Sequence, residues 1–244
     1  MMNEIFSIIM PVFNSEKTVS DSINSVLNQT YSNFKLYIIN DSSTDNSKDI
    51  ILSFNDERII YLETPENSGV ASARNLGIKH CTGNYISFLD SDDLWLPRKL
   101  ECQLAKLLDG YDVVCSNYIT FSNDSELSLR QSPTIIKYTS MLKSNFIGNL
   151  TGTYNTYSLG KFFQKKVGHE DYVMWLEILK KSNKAFCIQD SLAKYRVSNT
   201  SLSSNKLKTI KWQWSIYRNE LKLSNTKSLY YFSHYILNAL KKRR

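Results

Sequence analysis

The stretch Asn84-Tyr-Ile-Ser-Phe-Leu-Asp90-Ser-Asp92-Asp93-Leu-Trp-Leu-Pro97-Arg-Lys-Leu-Glu101 joins a short apolar run to three carboxylates and a proline. The apolar run is rich in β formers and predicts a buried strand. Pro97 and the leucines that follow it at helical spacing predict a helix. The three aspartates fall between the strand and the helix. Because ligands of α/β sheets bind in the crevice beyond the carboxyl ends of the strands, we expect these aspartates at a binding site.

Three carboxylates this close together repel one another, and each raises the pKa of its neighbours unless a cation neutralises them. Hard divalent cations such as Mg²⁺ and Mn²⁺ take oxygen ligands and bridge carboxylates to the phosphates of a substrate. A solvated acidic loop is the alternative interpretation. The position between a strand and a helix favours a site for a metal ion and a diphosphate.

The remainder of the chain alternates strand and helix patterns. Apolar runs predict strands at residues 5–11, 34–39, 59–62 and 112–116. Helical spacing predicts helices at residues 19–27, 49–54, 69–77 and 170–179. This alternation predicts an α/β fold with a doubly wound, mainly parallel sheet flanked by helices. Residues 122–133 are polar and predict a loop, and residues from 207 onward predict a C-terminal helical extension rich in aromatic side chains.

The composition, with 42% hydrophobic and 22% charged residues, is that of an ordinary globular protein. The net charge of +7 favours an anionic partner, either a phosphorylated ligand or an anionic membrane surface. No nucleic-acid motif accompanies the charge, so we expect no nucleic-acid partner. The four cysteines lack metal-type spacing, and the chain shows neither a signal peptide nor an apolar run of ~18 residues, which together predict a cytoplasmic location.

The end of the chain carries a second charge pattern. Leu229, Phe232, Ile236 and Leu240 fall at helical spacing, and four basic residues follow at 241–244. This pattern predicts an amphipathic, basic helix that contacts the inner membrane peripherally from its cytoplasmic face. The alternative is a terminal helix packed on the domain, whose basic end complements the helix dipole.

Five ordered motifs carry a resemblance to a known family. They are Ser7-Ile-Ile-Met-Pro11-Val-Phe13-Asn14, Asn40-Asp41-Ser-Ser43-Thr-Asp45, residues 69–75, Phe88-Leu-Asp90-Ser-Asp92-Asp93 and Glu170-Asp171. Together they resemble the family 2 glycosyltransferases, inverting enzymes with the GT-A (nucleotide-diphospho-sugar transferase, Rossmann-like) fold, and among them the bacterial enzymes of O-antigen and capsule synthesis. The resemblance covers residues 4–205. It implies a GT-A domain at 1–205, with a nucleotide-sugar half at 1–116 and an acceptor half at 117–205, and a helical, basic tail at 206–244.

The resemblance implies transfer of a sugar from a nucleotide sugar, UDP-linked, to an acceptor hydroxyl with inversion. The implied cofactor is a divalent metal, Mn²⁺ or Mg²⁺, and the implied acceptor is a glycan or a polyprenyl-diphosphate-linked sugar. A nucleotidyltransferase and a non-catalytic nucleotide- or sugar-binding protein on the same fold are the alternatives. The chain lacks GxGxxG and GxxxxGK[ST], so it has neither a dinucleotide fingerprint nor a P-loop. A nucleotidyltransferase needs a Gly-rich phosphate loop after the first strand, and Phe13-Asn-Ser-Glu-Lys17 has no glycine.

The resemblance also assigns site residues. Those assigned to the nucleotide sugar are Pro11, Phe13, Asp41, Arg74, Asn75, Asp90 and Ser91. Pro11 and Phe13 would lie along the base, and Asp41 would bond the uracil ring. The metal would be held by Asp92 and Asp90, and the general base would be Asp171 or its neighbour Glu170.

Ordinary structural interpretations remain for several of these residues. Phe13 could close an edge of the core, and Asp41 could be a turn or cap residue. Arg74 could pair with a surface acid. Glu170 and Asp171 could complement a helix dipole.

Two departures from the family pattern affect the expected site. The family's Asp-Asp-Gly-Ser loop is here Asn40-Asp41-Ser42-Ser43, so one acid and the turn glycine are missing. Ser198 stands where family members often carry a histidine. Arg196 and nearby lysines are the candidates to replace the contact of that histidine.

Overall fold

Four apolar runs in the N-terminal half form parallel strands that lie side by side. The structure, a computed structural model, describes residues 4–122, 125–197 and 206–241. Strands β1 to β4 are Phe6–Val12, Phe34–Asn40, Ile59–Glu63 and Tyr85–Phe88, and they pair in the order β3-β2-β1-β4. The helices between them are α1 Val19–Leu27, α2 Ser47–Leu52 and α3 Val70–His80. The predicted alternation of strand and helix is confirmed here.

Alternate side chains of β1 point to opposite faces of the sheet and meet different helices. Ile8 is buried in one hydrophobic cluster with Ile23 of α1, whereas Ile9 is buried in a second cluster beside α3. The approach of α3 is close, because a Cβ on Gly77 would lie 2.8 Å from a methyl carbon of Ile39 and 2.9 Å from one of Ile9. The sheet is therefore covered by helices on both faces, as predicted.

The second half of the chain extends the same sheet in mixed orientation. Its strands are β5 Leu94–Trp95, β6 Val113–Ser122, β7 Ser125–Arg130, β8 Ile135–Lys137, β9 Thr153–Asn155 and β10 Lys184–Arg196. Strand β9 lies antiparallel between β4 and β6, β6 pairs with β10 in parallel, and β5 runs antiparallel to β10. Its helices are α4 Lys99–Leu108, α5 Tyr138–Met141, α6 Thr156–Leu159 and α7 Glu170–Ser182, with a 3₁₀ turn at Asn149–Thr151.

The sequence predicted β6 but not the other strands of this half, β5 and β7 to β10. The loop predicted at 122–133 is wrong, because β7 pairs with β6 in an antiparallel hairpin. Strand β7 lies at the edge of the sheet with most of its side chains exposed, and its two apolar residues, Leu127 and Leu129, form too short an alternation to predict a strand. The long strand β10 was not predicted either, since its pattern of buried and exposed residues is irregular.

The C-terminal segment is helical, as predicted. It comprises α8 Lys206–Ser215, a π-helical turn at Ile216–Glu220 and α9 Asn225–Lys241. Trp214 and Phe232 join α8 to α9, with ring centroids 5.3 Å apart. Within the described residues, none of these helices combines the length and apolar character that a membrane crossing requires.

The predicted apolar face of α9 is partly wrong. Phe232 and Ile236 are half-buried. The exposed leucines of α9 are Leu229, Leu237 and Leu240, at 63%, 55% and 56%. Residues 242–244, the basic end of this pattern, lie outside the described residues.

A lysine is buried completely beneath the sheet. The Nζ of Lys99 lies 3.8 Å from the centroid of the Trp95 ring and donates a 2.8 Å hydrogen bond to Oε1 of Gln103. The same Oε1 also accepts a hydrogen bond from the Thr153 hydroxyl at 2.8 Å. Burial lowers the pKa of Lys99 well below its ordinary value, because an ammonium group in this setting loses its hydration.

We predict that Lys99→Met stabilises the protein by about 1 kcal/mol or more at pH 7, since it removes a buried polar group and leaves Gln103 its bond to Thr153. The folded-state pKa of Lys99 is depressed, so at this site the unfolded chain binds more protons than the folded one. The cost of burying Lys99 therefore falls as the pH rises to 10.5. The advantage of Lys99→Met should therefore shrink as the pH approaches 10.5. Denaturant unfolding at several pH values measures this. The half-exposed Lys106 of the same helix provides the control variant Lys106→Met, and a net destabilisation by Lys99→Met at every pH would contradict the argument.

Candidate active site

A cleft of about 840 Å³ opens at the carboxyl ends of β1, β2 and β4. The residues predicted for the nucleotide sugar and the metal that line it are Pro11, Phe13, Asp41, Asp90, Ser91 and Asp92. Arg196, from the end of β10, lines it as well. The structure thus brings together, at one edge of the sheet, residues that are more than 180 positions apart in sequence.

Two loops form one wall of the cleft and are tied to each other. The backbone N–H of Asn14 donates to Oγ of Ser43 at 3.1 Å, and the N–H of Thr44 donates to Oδ1 of Asn14 at 2.8 Å. Phe13, next to this tie, is 47% exposed, so the interpretation that it closes the core is wrong. On the floor of the cleft, the hydroxyl groups of Ser15 and Ser91 are hydrogen-bonded at 2.7 Å.

Asp41 is buried and organises the neighbouring loop at 64–69. Its Oδ1 accepts hydrogen bonds from the Thr64 hydroxyl at 2.7 Å, the Ser68 hydroxyl at 2.9 Å and the Ser68 N–H at 3.0 Å, and its Oδ2 accepts from the Gly69 N–H at 2.8 Å. Burial raises the pKa of Asp41, but the hydrogen bonds from Ser68, Thr64 and Gly69 outweigh it and hold the pKa below its ordinary value. Sequence analysis missed this loop-ordering role, and the bond to uracil stays a prediction.

Arg74 of α3 connects the acidic cluster to a distant segment. Its guanidinium group donates to Oδ1 of Asp90 at 2.5 Å and to Oε1 of Gln164 at 3.1 Å. Asn75 clamps the backbone of Gln164 from both sides, donating to its carbonyl oxygen at 2.8 Å and accepting from its N–H at 2.7 Å. Arg74 is only 6% exposed, so the surface-pair interpretation is wrong. Gln164 was not predicted, because it falls in a segment without periodic pattern.

The three aspartates after β4 have three different environments. Asp93 is buried and accepts the backbone N–H of Arg196 at 2.8 Å, which attaches the end of β10. The Nε of Arg196 donates to the backbone oxygen of Asp92 at 2.8 Å, and its guanidinium group lies over the Phe121 ring at 4.5 Å. Burial raises the pKa of Asp93 well above its ordinary value. Burial, followed by the charge of Asp90, raises the pKa of Asp92 to about 6.

The two candidate bases begin α7. The turn before them has positive φ values, 74° at Gly168 and 52° at His169. Burial raises the pKa of Asp171 above its ordinary value, against the attraction of Arg74 and His169, and the charge of Asp90 adds to the increase. The Asp171 carboxylate therefore lies close enough to the Arg74–Asp90 ion pair for both charges to affect its pKa.

These features agree with a match to one protein family. The sequence profile described as "Glycosyl transferase family 2" matches residues 7–165. The chain belongs to glycosyl transferase family 2. The protein is accordingly a glycosyltransferase, as the resemblance implied, and the nucleotidyltransferase alternative is disfavoured.

Relatives of this family 2 member span nearly its full length. It is 39% identical over 244 residues to the Escherichia coli UDP-Glc:alpha-D-GlcNAc-diphosphoundecaprenol beta-1,3-glucosyltransferase WfgD, covering 99% of this chain and 96% of that protein. It is 34% identical over 252 residues to the putative teichuronic acid biosynthesis glycosyltransferase TuaG of Bacillus subtilis (strain 168), covering 98% and 97%. The structure of S. aureus TarS 1-349 in complex with UDP has a TM-score of 0.71 at 20% identity, covering 95% of this chain and 70% of that one. The predicted GT-A fold is confirmed.

The structure explains how this family 2 chain tolerates its altered Asn40-Asp41-Ser42-Ser43 loop. Ser42, at the position of the family's glycine, keeps a left-handed φ of 57°, which is uncommon for a residue with a side chain. Its hydroxyl donates to the backbone oxygen of Thr64 at 2.8 Å. Asn40, in place of the missing acid, donates to Glu63 at 3.1 Å and accepts the Ser43 N–H at 3.1 Å. The second departure, Ser198, lies outside the described residues.

We predict that Asp41→Asn lowers the free energy of unfolding by about 1–3 kcal/mol, because an amide NH₂ would meet the donors of residues 64–69 and leave some of them unpaired. Asp49→Asn, an exposed acid on α2, serves as the control and should change stability by less than about 0.5 kcal/mol. Denaturant unfolding at pH 7 compares the two. The folded-state pKa of Asp41 is depressed, so its contribution should be lost as the pH falls below 3.8. Equal stabilities of the two variants would contradict the role of Asp41 in ordering the loop.

Proposed function

We propose that the protein transfers a hexose from a UDP-sugar to an acceptor hydroxyl with inversion, using a divalent cation held by Asp92 and Asp90. The observation that carries this proposal is the environment of Asp92. Its carboxylate lines the cleft, is partly desolvated, and has a pKa raised to about 6 by burial and by Asp90. A cation of charge +2 relieves this electrostatic cost, and the donor's diphosphate supplies its remaining oxygen ligands.

The donor set fits Mn²⁺ or Mg²⁺. Asp90 and Asp92 offer hard oxygen ligands on the same cleft. Among the residues that the structure describes, no three histidine, cysteine or acidic side chains are grouped as a complete metal site. A cation bound by one or two carboxylates and by substrate phosphates needs no such group. When bound, it would stabilise the negative charge of the departing nucleoside diphosphate.

Asp171 is our candidate for the general base. The acceptor hydroxyl must lose its proton as it attacks the anomeric carbon, and a carboxylate within hydrogen-bond reach accepts it. Burial raises the pKa of Asp171, which increases its proton affinity. A single base and a single displacement lead to inversion at the anomeric carbon. Arg74 would keep Asp90 in place on the donor side of the same reaction.

We infer the substrates from the relatives. The name of WfgD specifies UDP-Glc and an alpha-D-GlcNAc-diphosphoundecaprenol acceptor. At 39% identity over nearly the full length, these are the first substrates to test. The nucleotide base would lie between Phe13 and Asp41, and a lipid-linked acceptor would approach from the side of α7.

The C-terminal segment supports peripheral binding to the inner membrane. Residues 206–244 carry ten lysine and arginine residues and one glutamate, whereas residues 1–205 carry 20 basic and 22 acidic residues. The positive net charge of the chain therefore resides in this segment. Leu229, Leu237 and Leu240 are exposed on α9 within it. Apolar side chains beside basic ones suit a surface of anionic lipid, where each cation contributes about 1 kcal/mol.

We expect glucose transfer from UDP-glucose to a GlcNAc-diphosphate-lipid acceptor with Mn²⁺, and its loss in EDTA. Asp92→Ala should lower turnover by at least about 10³-fold across a Mn²⁺ titration, because the metal stabilises the leaving group. Asp109→Ala, an exposed acid after α4, is the matched control. NMR of the product reports the anomeric configuration. Full activity of Asp92→Ala without metal would refute the metal role, and a retained configuration would refute inversion.

Asp171→Asn should lower kcat by about 10²- to 10⁴-fold with little change in donor affinity, as expected for removal of a general base. Glu170→Gln, one position earlier, is the matched comparison. Stopped-time assays give kcat, and calorimetry with UDP gives donor-site affinity. If Glu170→Gln shows the loss and Asp171→Asn does not, the base is Glu170.

We predict that the full chain co-sediments with vesicles of phosphatidylglycerol at low salt and less at high salt, because charge screening weakens the attraction. Replacing Leu229, Leu237 and Leu240 by serine should reduce binding, and so should ending the chain at Thr226. Serine at Leu52, Leu108 and Leu127, which are 56%, 64% and 57% exposed elsewhere, is the matched control. Salt-independent recovery of every variant in the supernatant would refute membrane binding and leave the transferase assignment unchanged.

A further inference from the structure

The turn that leads into the candidate base has an unfavourable backbone. Gly168 and His169 both have positive φ, 74° and 52°, directly before α7. For a residue with a side chain, such as His169, this conformation is uncommon and costs about 1–2 kcal/mol. The carbonyl oxygen of His169 accepts the N–H of Val173 at 3.1 Å, so this residue sets the direction of the first turn of the helix. Asp171 lies within that turn, and its side-chain position depends on it.

A tryptophan from the C-terminal segment lies against this turn. A Cβ on Gly168 would come within 2.4 Å of Cδ2 and 2.6 Å of Cε2 of Trp212, so the indole rests directly on the glycine backbone. The same indole meets the His169 imidazole edge to face, with ring centroids 5.4 Å apart and an interplanar angle of 82°. Trp212 therefore contacts both residues with positive φ.

Neighbours of Trp212 hold the C-terminal segment against the same region. The Nε2 of Gln213 donates to the hydroxyl oxygen of Tyr172, the residue after Asp171, at 3.4 Å. The Nζ of Lys165 lies 2.7 Å from Glu177 of α7 and 3.4 Å from Glu220 of the π-helical turn. The first contact joins α8 to the start of α7, and the ion pairs join the π-helical turn to the middle of α7.

We propose that Trp212 is a positioning residue for the candidate base. By packing on Gly168 and His169, it keeps the turn in its left-handed conformation and thereby sets where the Asp171 carboxylate points. Trp212 then supports the catalytic apparatus from the C-terminal helical segment, through its contacts with Gly168 and His169. The effect of Trp212 on the reaction rate rests on the function proposed above, whereas its effect on the conformation of the turn does not.

The chain offers a matched pair of tryptophans for the test. Trp212→Ala should lower kcat by about 10- to 100-fold, the scale expected when a reacting group is displaced by about 1 Å. The KM for UDP-glucose should change less than about threefold, because the donor walls of the cleft are untouched. Trp212→Phe should restore most of the rate. Trp214→Ala, which removes the partner of Phe232 two positions away, should leave kcat unchanged. A water-soluble acceptor avoids any membrane effect.

A second readout does not require turnover. Hydrogen–deuterium exchange of the peptide covering 168–175 should be faster in Trp212→Ala than in wild type or Trp214→Ala, at matched global stability measured by thermal unfolding. Equal exchange in the two alanine variants would overturn the proposal, and so would equal kcat values. If wild type transfers no sugar but the exchange difference is present, the proposed function fails and the positioning of the turn stands.

Discussion

The rest of the structure depends on how the fold accommodates three aspartates that lie within four residues after β4. Carboxylates so close together cannot all be desolvated and charged without compensation. Asp90 is paired with the guanidinium group of Arg74, and Asp93 accepts the backbone N–H of Arg196, although burial still raises the pKa of Asp93. Asp92 also has a raised pKa, and it lines the cleft. Asp90 and Asp93 thus attach other elements of the fold, while Asp90 and Asp92 line the cleft in which we propose a cation.

The compensating groups come from distant parts of the chain, and this is how the fold acquires its site. Arg74 joins the end of β4 to Gln164, 90 positions away from itself. Arg196 fixes the end of β10 over the same cleft. Asp41 performs a similar task on the side proposed for the nucleotide by ordering the loop at 64–69. The polar groups that the proposed chemistry uses are therefore also those that hold the loops of the cleft in position.

The C-terminal segment has two faces with different relations to this site. Its inner face, with Trp212 and Gln213, packs on the turn and helix that carry Asp171. Its outer face exposes leucines of α9 within a strongly basic segment. One helical unit thus lies between the candidate base and the surface for which we propose membrane contact.

The sequence alone determined β1 to β4, their helices, α7 and the acidic cluster. These features depend on local signals, namely the spacing of apolar residues and the acidic residues that directly follow a strand. It also determined the family, since five ordered motifs occur together. Tertiary structure decided the rest. Strand β7 has exposed side chains and forms only because β6 offers it a pairing edge, and Gln164 and Trp212 acquire roles only through contacts with residues far away in sequence. Which of the three aspartates pair with other elements of the fold was likewise decided by the positions of Arg74 and Arg196, since electrostatic interaction depends on distance in space and not on position in the chain.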